Sequence, residues 1–272
     1  MSTAAVFRDA WVDAREAVVE QFEYRELLWQ LTKRDLLLRY KQAAMGFGWA
    51  VFMPLINTAV FSVVFTRVAP LKLDVPYPLF AFLGLLMWNF TASALRFSVV
   101  ALTGNINLVT KVYCPREVFP ISAVLVTIVD TLVGSIVLVA IMAYYHIGPG
   151  GAIVYLPAVA AVHIAFTTGM GLILSMANLF YRDVKYLFEV VITMWMFATS
   201  VLYPSSLVTG KLGLVMRINP MTGIIDAYRD VLLYGHAPTS SAFLWSAALA
   251  GVTFVVSAFV FHRAEFRFAE SV

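Results

Sequence analysis

Between Lys41 and Arg67 the chain carries no charged residue. A helix that crosses hydrocarbon needs about 20 apolar residues in a row, because charges and unpaired backbone groups are costly there. The run 42–66 meets that requirement, and 75–95 is equally free of charge. Three further runs follow: 118–145, interrupted only by Asp130; 151–181, where His163 is the one ionisable group of note; and 242–261. Residues 190–203 form another apolar run, whose helix is expected to begin a turn or two earlier. Six spans are therefore expected, in an all-α integral membrane fold.

Composition agrees. The chain is 61% hydrophobic and 13% charged, against about 45–50% and about 25% in soluble domains. A water-soluble core cannot absorb that excess, which excludes an ordinary globular enzyme. The formal net charge of +3 is too small and too dispersed for a nucleic-acid partner. The single cysteine, Cys114, excludes an internal disulfide and a Cys-rich metal site. Residues 1–20 hold Arg8, Asp9, Asp13, Arg15, Glu16 and Glu20. They form no apolar signal-peptide core and read as a retained N-terminal extension.

Basic residues set the orientation. With the N-terminus cytoplasmic, the inner segments hold most of the Lys and Arg, including Arg25, Lys33, Arg34, Arg39, Lys41, Lys111, Arg116, Arg182, Lys185, Arg263 and Arg267. The outer segments hold Arg67, Lys72, Lys211, Arg217 and Arg229. Both termini inside suits an even number of spans.

Residues 21–42 read as an amphipathic interface helix. Tyr24, Leu27, Leu28, Leu31 and Leu38 fall near one face, with Asp35 interrupting the stripe. Such a helix lies in the headgroup layer with its Arg and Lys toward phosphates, and feeds the first span through Gly46 and Gly48. The alternative is an ordinary solvated helix carrying juxtamembrane charge. A permease domain is expected over 43–262, with a tail at 263–272. "HIGPGG" (146–151) separates the third and fourth spans. Residues 204–240, with Lys211, Arg217, Asp226, Arg229 and Asp230, are too long for a turn and too polar to span. They are expected to face outward.

The sequence has no His-Glu-x-x-His pair, no Gly-x-Ser-x-Gly elbow and no phosphate-binding loop. "GNINLVTK" lacks the second Gly and the hydroxyl residue such a loop needs. If the protein uses ATP, another chain must bind it. Asn89-Phe90-Thr91 forms a glycosylation sequon inside a span and reads as accidental. Ionisable groups in apolar spans face protein or water rather than lipid. Asp130 reads as half of a structural pair or as lining a water-filled path; a proton relay lacks a second acid. Arg96 can snorkel from an inner end, and His163 reads as a packing histidine. The loop 104–117 carries a short apolar helical pattern through Ile106, Leu108, Val109 and Val112 and ends at Pro115. It is either a linker or a docking knob presenting Asn105, Asn107, Lys111 and Tyr113 to the cytoplasm. Of the many aromatics, Phe52, Phe61 and Phe65 lie in the first span and Trp195, Phe197 and Tyr203 in the fifth. They either face lipid and protein or stack on sugar rings in a pore.

Four blocks resemble the membrane subunits of type 2 ABC exporters, in particular the O-antigen and teichoic-acid polysaccharide permeases. They are "RDLLLRYKQAAMGFGWAVFMP" (34–54), "NLVTKVYCPREVFP" (107–120), "NLFYRDVKYLFEVVITMWMFATSVLYP" (178–204) and "INPMTGIIDAYRDVLLYG" (218–235). Met45 stands where a Leu-like residue is common, and residues 1–20 have no clear counterpart. The resemblance implies a pore made by two copies of the chain over two copies of a separate ABC ATPase. That partner binds ATP and Mg; this chain binds no cofactor. It implies a bacterial inner-membrane location and a polyprenyl-pyrophosphate-linked polysaccharide as substrate. It assigns Asn105, Asn107, Lys111, Tyr113, Pro115 and Arg116 to a coupling loop that receives the ATPase's motion. It assigns Asn219, Pro220, Asp226, Tyr228 and Arg229 to short re-entrant helices at an outward gate. Phe61, Phe65, Trp195, Phe197 and Tyr203 become channel aromatics. Arg34, Arg39 and Lys41, Arg39 foremost, become partners for the pyrophosphate, unless they only enforce orientation. The alternatives are an exporter of the same family for drugs or small lipids, a membrane-embedded glycosyl or lipid-phosphate transferase, and a proton-driven transporter resting on Asp130.

Overall fold

The computed structural model describes residues 24–41, 46, 48–111 and 114–268. The N-terminal extension, Tyr113 and the last residues of the tail lie outside them. The described residues form helices: α1 (Arg25–Tyr40), α2 (Gly48–Val63, extended by a wider π-type turn over Val64–Val68), α3 (Tyr77–Gly104), α4 (Ile106–Lys111) and α5 (Val118–Tyr144). A 3-10 turn at Gly150–Tyr155 precedes α6 (Leu156–Phe180). Then come α7 (Val184–Phe197), α8 (Gly210–Ile218), α9 (Pro220–Arg229, continued by a π-type turn Asp230–Tyr234) and α10 (Ser241–Phe268).

Five of the helical segments are long and apolar enough to cross a membrane: Gly48–Val68, Tyr77–Gly104, Val118–Tyr144, Gly150–Phe180 and Ser241–Ala264. The sixth expected crossing differs from its sequence reading. Its helix begins at Val184, earlier than the apolar run, but stops at Phe197 instead of continuing to 203. The chain then leaves helical geometry through Thr199 and Ser200, whose side chains are buried and bonded to neighbouring elements. α3 also runs well past the expected 95, to Gly104. The 146–151 break is real: His146 and Gly150 both take the left-handed conformation that ends a helix, with φ of 55° each.

α3 is the centre of the molecule. It packs against α2, α5, α6, α7 and α9, and most of its side chains are buried. In a protein surrounded by lipid, burial between helices follows from close packing and not from exclusion of water, so small residues mark the tightest contacts. Gly84 lets the backbone at Val201 and the Arg229 guanidinium lie directly on α3. Gly169 of α6 does the same for the α10 backbone at Phe254. By contrast α2 is mostly exposed, and Leu55, Ile56, Val60 and Val63 form an unburied apolar face.

α1 packs along α5. Part of its apolar stripe packs on the protein. Leu31 and Thr32 are buried, and Tyr24, Leu27 and Leu28 join the same cluster around Phe119 and Phe261. Leu38 does not: it is 70% exposed, as are Trp29 and Leu37 in large part. At 100° per residue Leu38 falls between Leu27 and Leu31 on the same face; it is exposed because it borders an open cavity of about 380 Å³ with Phe97, Ala123 and Val126.

Glycines of the two kinds separate cleanly in a thermal test. Gly84→Ala drives a methyl into the Val201 carbonyl and Arg229, and is expected to lose about 1–3 kcal/mol, seen as a lower Tm of the detergent-solubilised protein. Gly251→Ala, in α10 with nothing nearby, is expected to keep or raise Tm.

Candidate functional site

A carboxylate in an apolar helix needs a partner, and Asp130 has two. Arg39 of α1 forms an ion pair with it, and the Tyr40 hydroxyl donates to its other oxygen. Both donors come from the last turn of α1, so the pair fixes the end of that helix against the middle of α5. Arg39 also lies over the Phe97 ring of α3, 3.8 Å from its centroid. Burial, followed by the hydrogen bond and charge of Asp130, pushes the Tyr40 hydroxyl up to about 12. Tyr40 is therefore a standing donor.

This cluster closes one end of a cleft of about 510 Å³ between α2, α3 and α5. Its lining is mostly apolar, with Met53, Pro54, Leu86 and Phe90, but includes polar side chains drawn from apolar helices: Asn57 of α2, Asn89 and Ser93 of α3, and Thr127 and Thr131 of α5. Trp49 stands at its lip, edge-on to Phe52. Thr127 and Thr131 turn their hydroxyls back onto carbonyls of their own helix. The amides of Asn57 and Asn89 have no protein hydrogen-bond partner among the described residues, which leaves them for a ligand or water. Sequence reasoning named Asp130 and Arg39 but missed these amides, and dismissed Asn89 as a chance sequon. The available signal was spacing: 49, 53 and 57; 89, 93 and 97; and 127 and 131 repeat every four residues along one helical face.

A second constellation joins α1 to the loop after α3. Arg34 bonds Asp35 at 2.7 Å and the Asn105 side-chain oxygen at 2.8 Å. The Asn105 amide nitrogen returns to the Ala101 carbonyl at 2.8 Å, and its main-chain oxygen accepts from Leu108 and Val109, starting α4. Asn105 was expected to face the cytoplasm. Instead it is a joint between three helices, because a side chain at a helix C-terminus is within reach of unpaired carbonyls. Of its neighbours, Asn107 is exposed, Lys111 ends α4, Pro115 is buried and Arg116 half-buried. Arg34 is thus committed within the protein, whereas Lys41 is exposed.

The third constellation lies at the opposite end of α3. Asn219 sits between α8 and α9, ahead of Pro220. Its oxygen accepts from the Trp195 indole (3.0 Å) and from Met221 N–H (3.1 Å), capping α9. Its amide donates to the Ala198 carbonyl (2.9 Å) and the Thr199 hydroxyl (2.8 Å). Arg229 is almost fully buried. It donates to the Ser200 and Val201 carbonyls and to Asp226, and stacks on Phe80 at 3.6 Å. Asp226 also accepts from Ser200 and Ser205. Tyr228 meets the His163 ring edge-on, while His163 shares a 2.6 Å hydrogen bond with Thr91. His163 is thus a packed, satisfied side chain, and Arg96 pairs with Glu189 of α7 at 3.0 Å.

The structure disperses the aromatics. Phe61 and Phe65 stack toward Tyr77, and Trp195 is wedged against Trp88 and Phe166. Tyr203 donates to the Phe197 carbonyl. The Phe197 ring is 55% exposed.

The Arg39–Asp130 contact is checked by a double-mutant cycle. Arg39→Gln and Asp130→Asn are each expected to destabilise the detergent-solubilised protein, with a coupling energy of about 1–3 kcal/mol between them. A coupling of zero would show two independent surface charges.

Residues 26–233 match the family model described as ABC-2 type transporter. The chain is 28% identical over 258 residues to the O-antigen export system permease protein RfbA of Myxococcus xanthus, covering 94% of this chain and 98% of that protein. Proteins of the same name from Klebsiella pneumoniae are 28% and 27% identical over 248 residues, covering 90% of this chain and 94% of each. The chain therefore belongs to the ABC-2 type transporter family, as a membrane permease component and not an enzyme.

Proposed function

We propose that the protein is the permease subunit of an ATP-driven exporter that moves polyprenyl-pyrophosphate-linked polysaccharide, O-antigen-like, from the cytoplasm across the bacterial inner membrane. Family membership implies an ABC ATPase partner, and the relatives named above are O-antigen export permeases. The observation that carries the substrate class is the polar cleft built into apolar helices. Two amides held in such helices without protein partners are costly unless a hydrophilic solute or water meets them. A hydrophobic drug gives no return for that cost, and a transferase would gather several acids where this cleft has Asp130, already paired with Arg39.

Two copies of the chain form the channel in this reading, with α2 and its unburied apolar face available for the contact. The coupling loop 104–117 takes the ATPase's motion, and the Arg34–Asn105 joint passes it to α1. Arg39 meets the pyrophosphate by exchanging Asp130 for phosphate oxygens, an exchange between two charge-assisted bonds. Lys41 adds charge nearby. Both termini face the cytoplasm.

The sixth crossing is made by α7 together with residues 198–202. Helix α7 alone spans about 21 Å at 1.5 Å per residue. It starts beside Arg96, and the chain beyond it reaches Tyr77, whose hydroxyl donates to the Leu202 carbonyl at 3.0 Å. The pair α8–α9 then forms the re-entrant outward gate. Its turn at Asn219 lies by Trp195, level with Trp88 of α3, while Arg229 returns to Phe80. Between Tyr77 and Trp88, α3 rises about 16 Å.

Two measurements test this. ATPase activity of the complete transporter is expected to rise with lipid-linked glycan and not with hydrophobic drugs; the reverse response would replace the substrate class. Replacing 105–111 with a Gly-Ser linker is expected to abolish ATPase copurification while leaving membrane insertion intact. Normal copurification and export would remove the coupling assignment.

A further inference from the structure

A second cavity, of about 240 Å³, lies against the polar cleft, and Phe90 and Thr131 line both. This second space is a trough between α5 and α6, walled by Ser135, Leu138, Val139, Met142, Ala160 and Ile164. Its floor is aromatic: the His163 ring lies edge-on to Phe90 at 4.8 Å and to Tyr228 at 5.7 Å. Two hydroxyls border it, yet neither points a donor into it. Thr131 donates to the Thr127 carbonyl and Ser135 to the Thr131 carbonyl, each at 2.8 Å. The trough surface is therefore carbon, and no charged side chain lines it.

A chamber with unpartnered amides and the Arg39–Asp130 pair thus adjoins an apolar trough, the two sharing Phe90 and Thr131 as lining. From Asp130 to Met142 the α5 axis rises about 18 Å. Lining residues spaced along α5 from Ile128 to Met142 make the trough run beside that helix, as an extended chain requires.

We propose that chamber and trough together bind one amphiphile, with its phosphate and first sugar beside Arg39, Asn57 and Asn89 and its polyprenyl chain laid along α5 in the trough. The inference rests on the export reading and adds to it where the lipid end of the substrate sits. Neither half explains the other alone: a free glycan has no use for the trough, and a hydrocarbon has none for the amides. Binding of both ends holds the diphosphate at the Arg39–Asp130 pair while the glycan is led away.

The test uses the permease with its ATPase in nanodiscs and two photoreactive probes: a polyprenyl-diphosphate monosaccharide and a phosphatidylglycerol. In the unsubstituted protein, the polyprenyl probe is expected to label peptides of α5 and α6. Ala160→Phe, which fills the trough, is expected to cut that labelling at least tenfold, with phosphatidylglycerol labelling unchanged. Val139→Phe, at the rim, gives the same reading should Ala160→Phe assemble poorly. Val255→Phe, on the exposed face of α10, is expected to label like the unsubstituted protein. Undiminished labelling and export in both trough variants would overturn the trough assignment and leave the export reading standing. Labelling of the trough by phosphatidylglycerol alone would also overturn it, making the trough an ordinary lipid contact. Failure of the polyprenyl probe to label the unsubstituted protein anywhere would overturn both.

Discussion

A charge inside an apolar helix has to be answered by another, and the pairing of Asp130 with Arg39 organises one half of this protein. Without Arg39 and Tyr40, Asp130 would leave a carboxylate against hydrocarbon, and the end of α1 would have no anchor on α5. With them, α1 is tied at one end to the middle of a span. Five residues earlier, Arg34 ties it to the start of α4. The two contacts make α1 the direct link between the loop that follows α3 and the polar cleft.

The far end of α3 is built on the same rule with different parts. Arg229 is buried, and the two terminal nitrogens of its guanidinium meet two carbonyls and a carboxylate while the group stacks on an aromatic face. Those carbonyls are free because α7 stops at Phe197, leaving the backbone at Ser200 and Val201 without helical partners. The early end of α7 and the buried arginine therefore explain each other. Asn219 completes the arrangement by binding the last carbonyl of α7's final turn while capping α9.

Much of the fold was legible because hydropathy is a one-dimensional property. Long apolar runs, the Gly-Pro break at 146–151 and the polar 204–240 segment each follow from what lipid tolerates locally. Asp130 could be recognised as needing a partner, and its identity could not: Arg39 lies 91 positions away. Asn105 looked outward because it sits in a polar loop, and only the return of α1 across that loop turns it inward. Leu38 could be placed on the apolar face of α1, but that only the Tyr24–Leu31 part of this face meets protein follows from where Phe119 and Phe261 stand. Asn89 read as an accidental sequon and Asn57 as part of a plain apolar run; their importance comes from lining one cleft between α2 and α3.

The sequence by itself determined that the chain is helical, apolar and suited to a bilayer, and where its breaks fall, since each of those depends on runs of neighbouring residues. Only the tertiary structure decided which polar groups face one another. That choice assembles a cleft from three helices, stops α7 at Phe197 and sets a carbon-walled trough beside the cleft. The reason is distance along the chain: hydrocarbon constrains every segment separately, whereas the cost of a lone charge or amide is relieved only by a residue dozens of positions away.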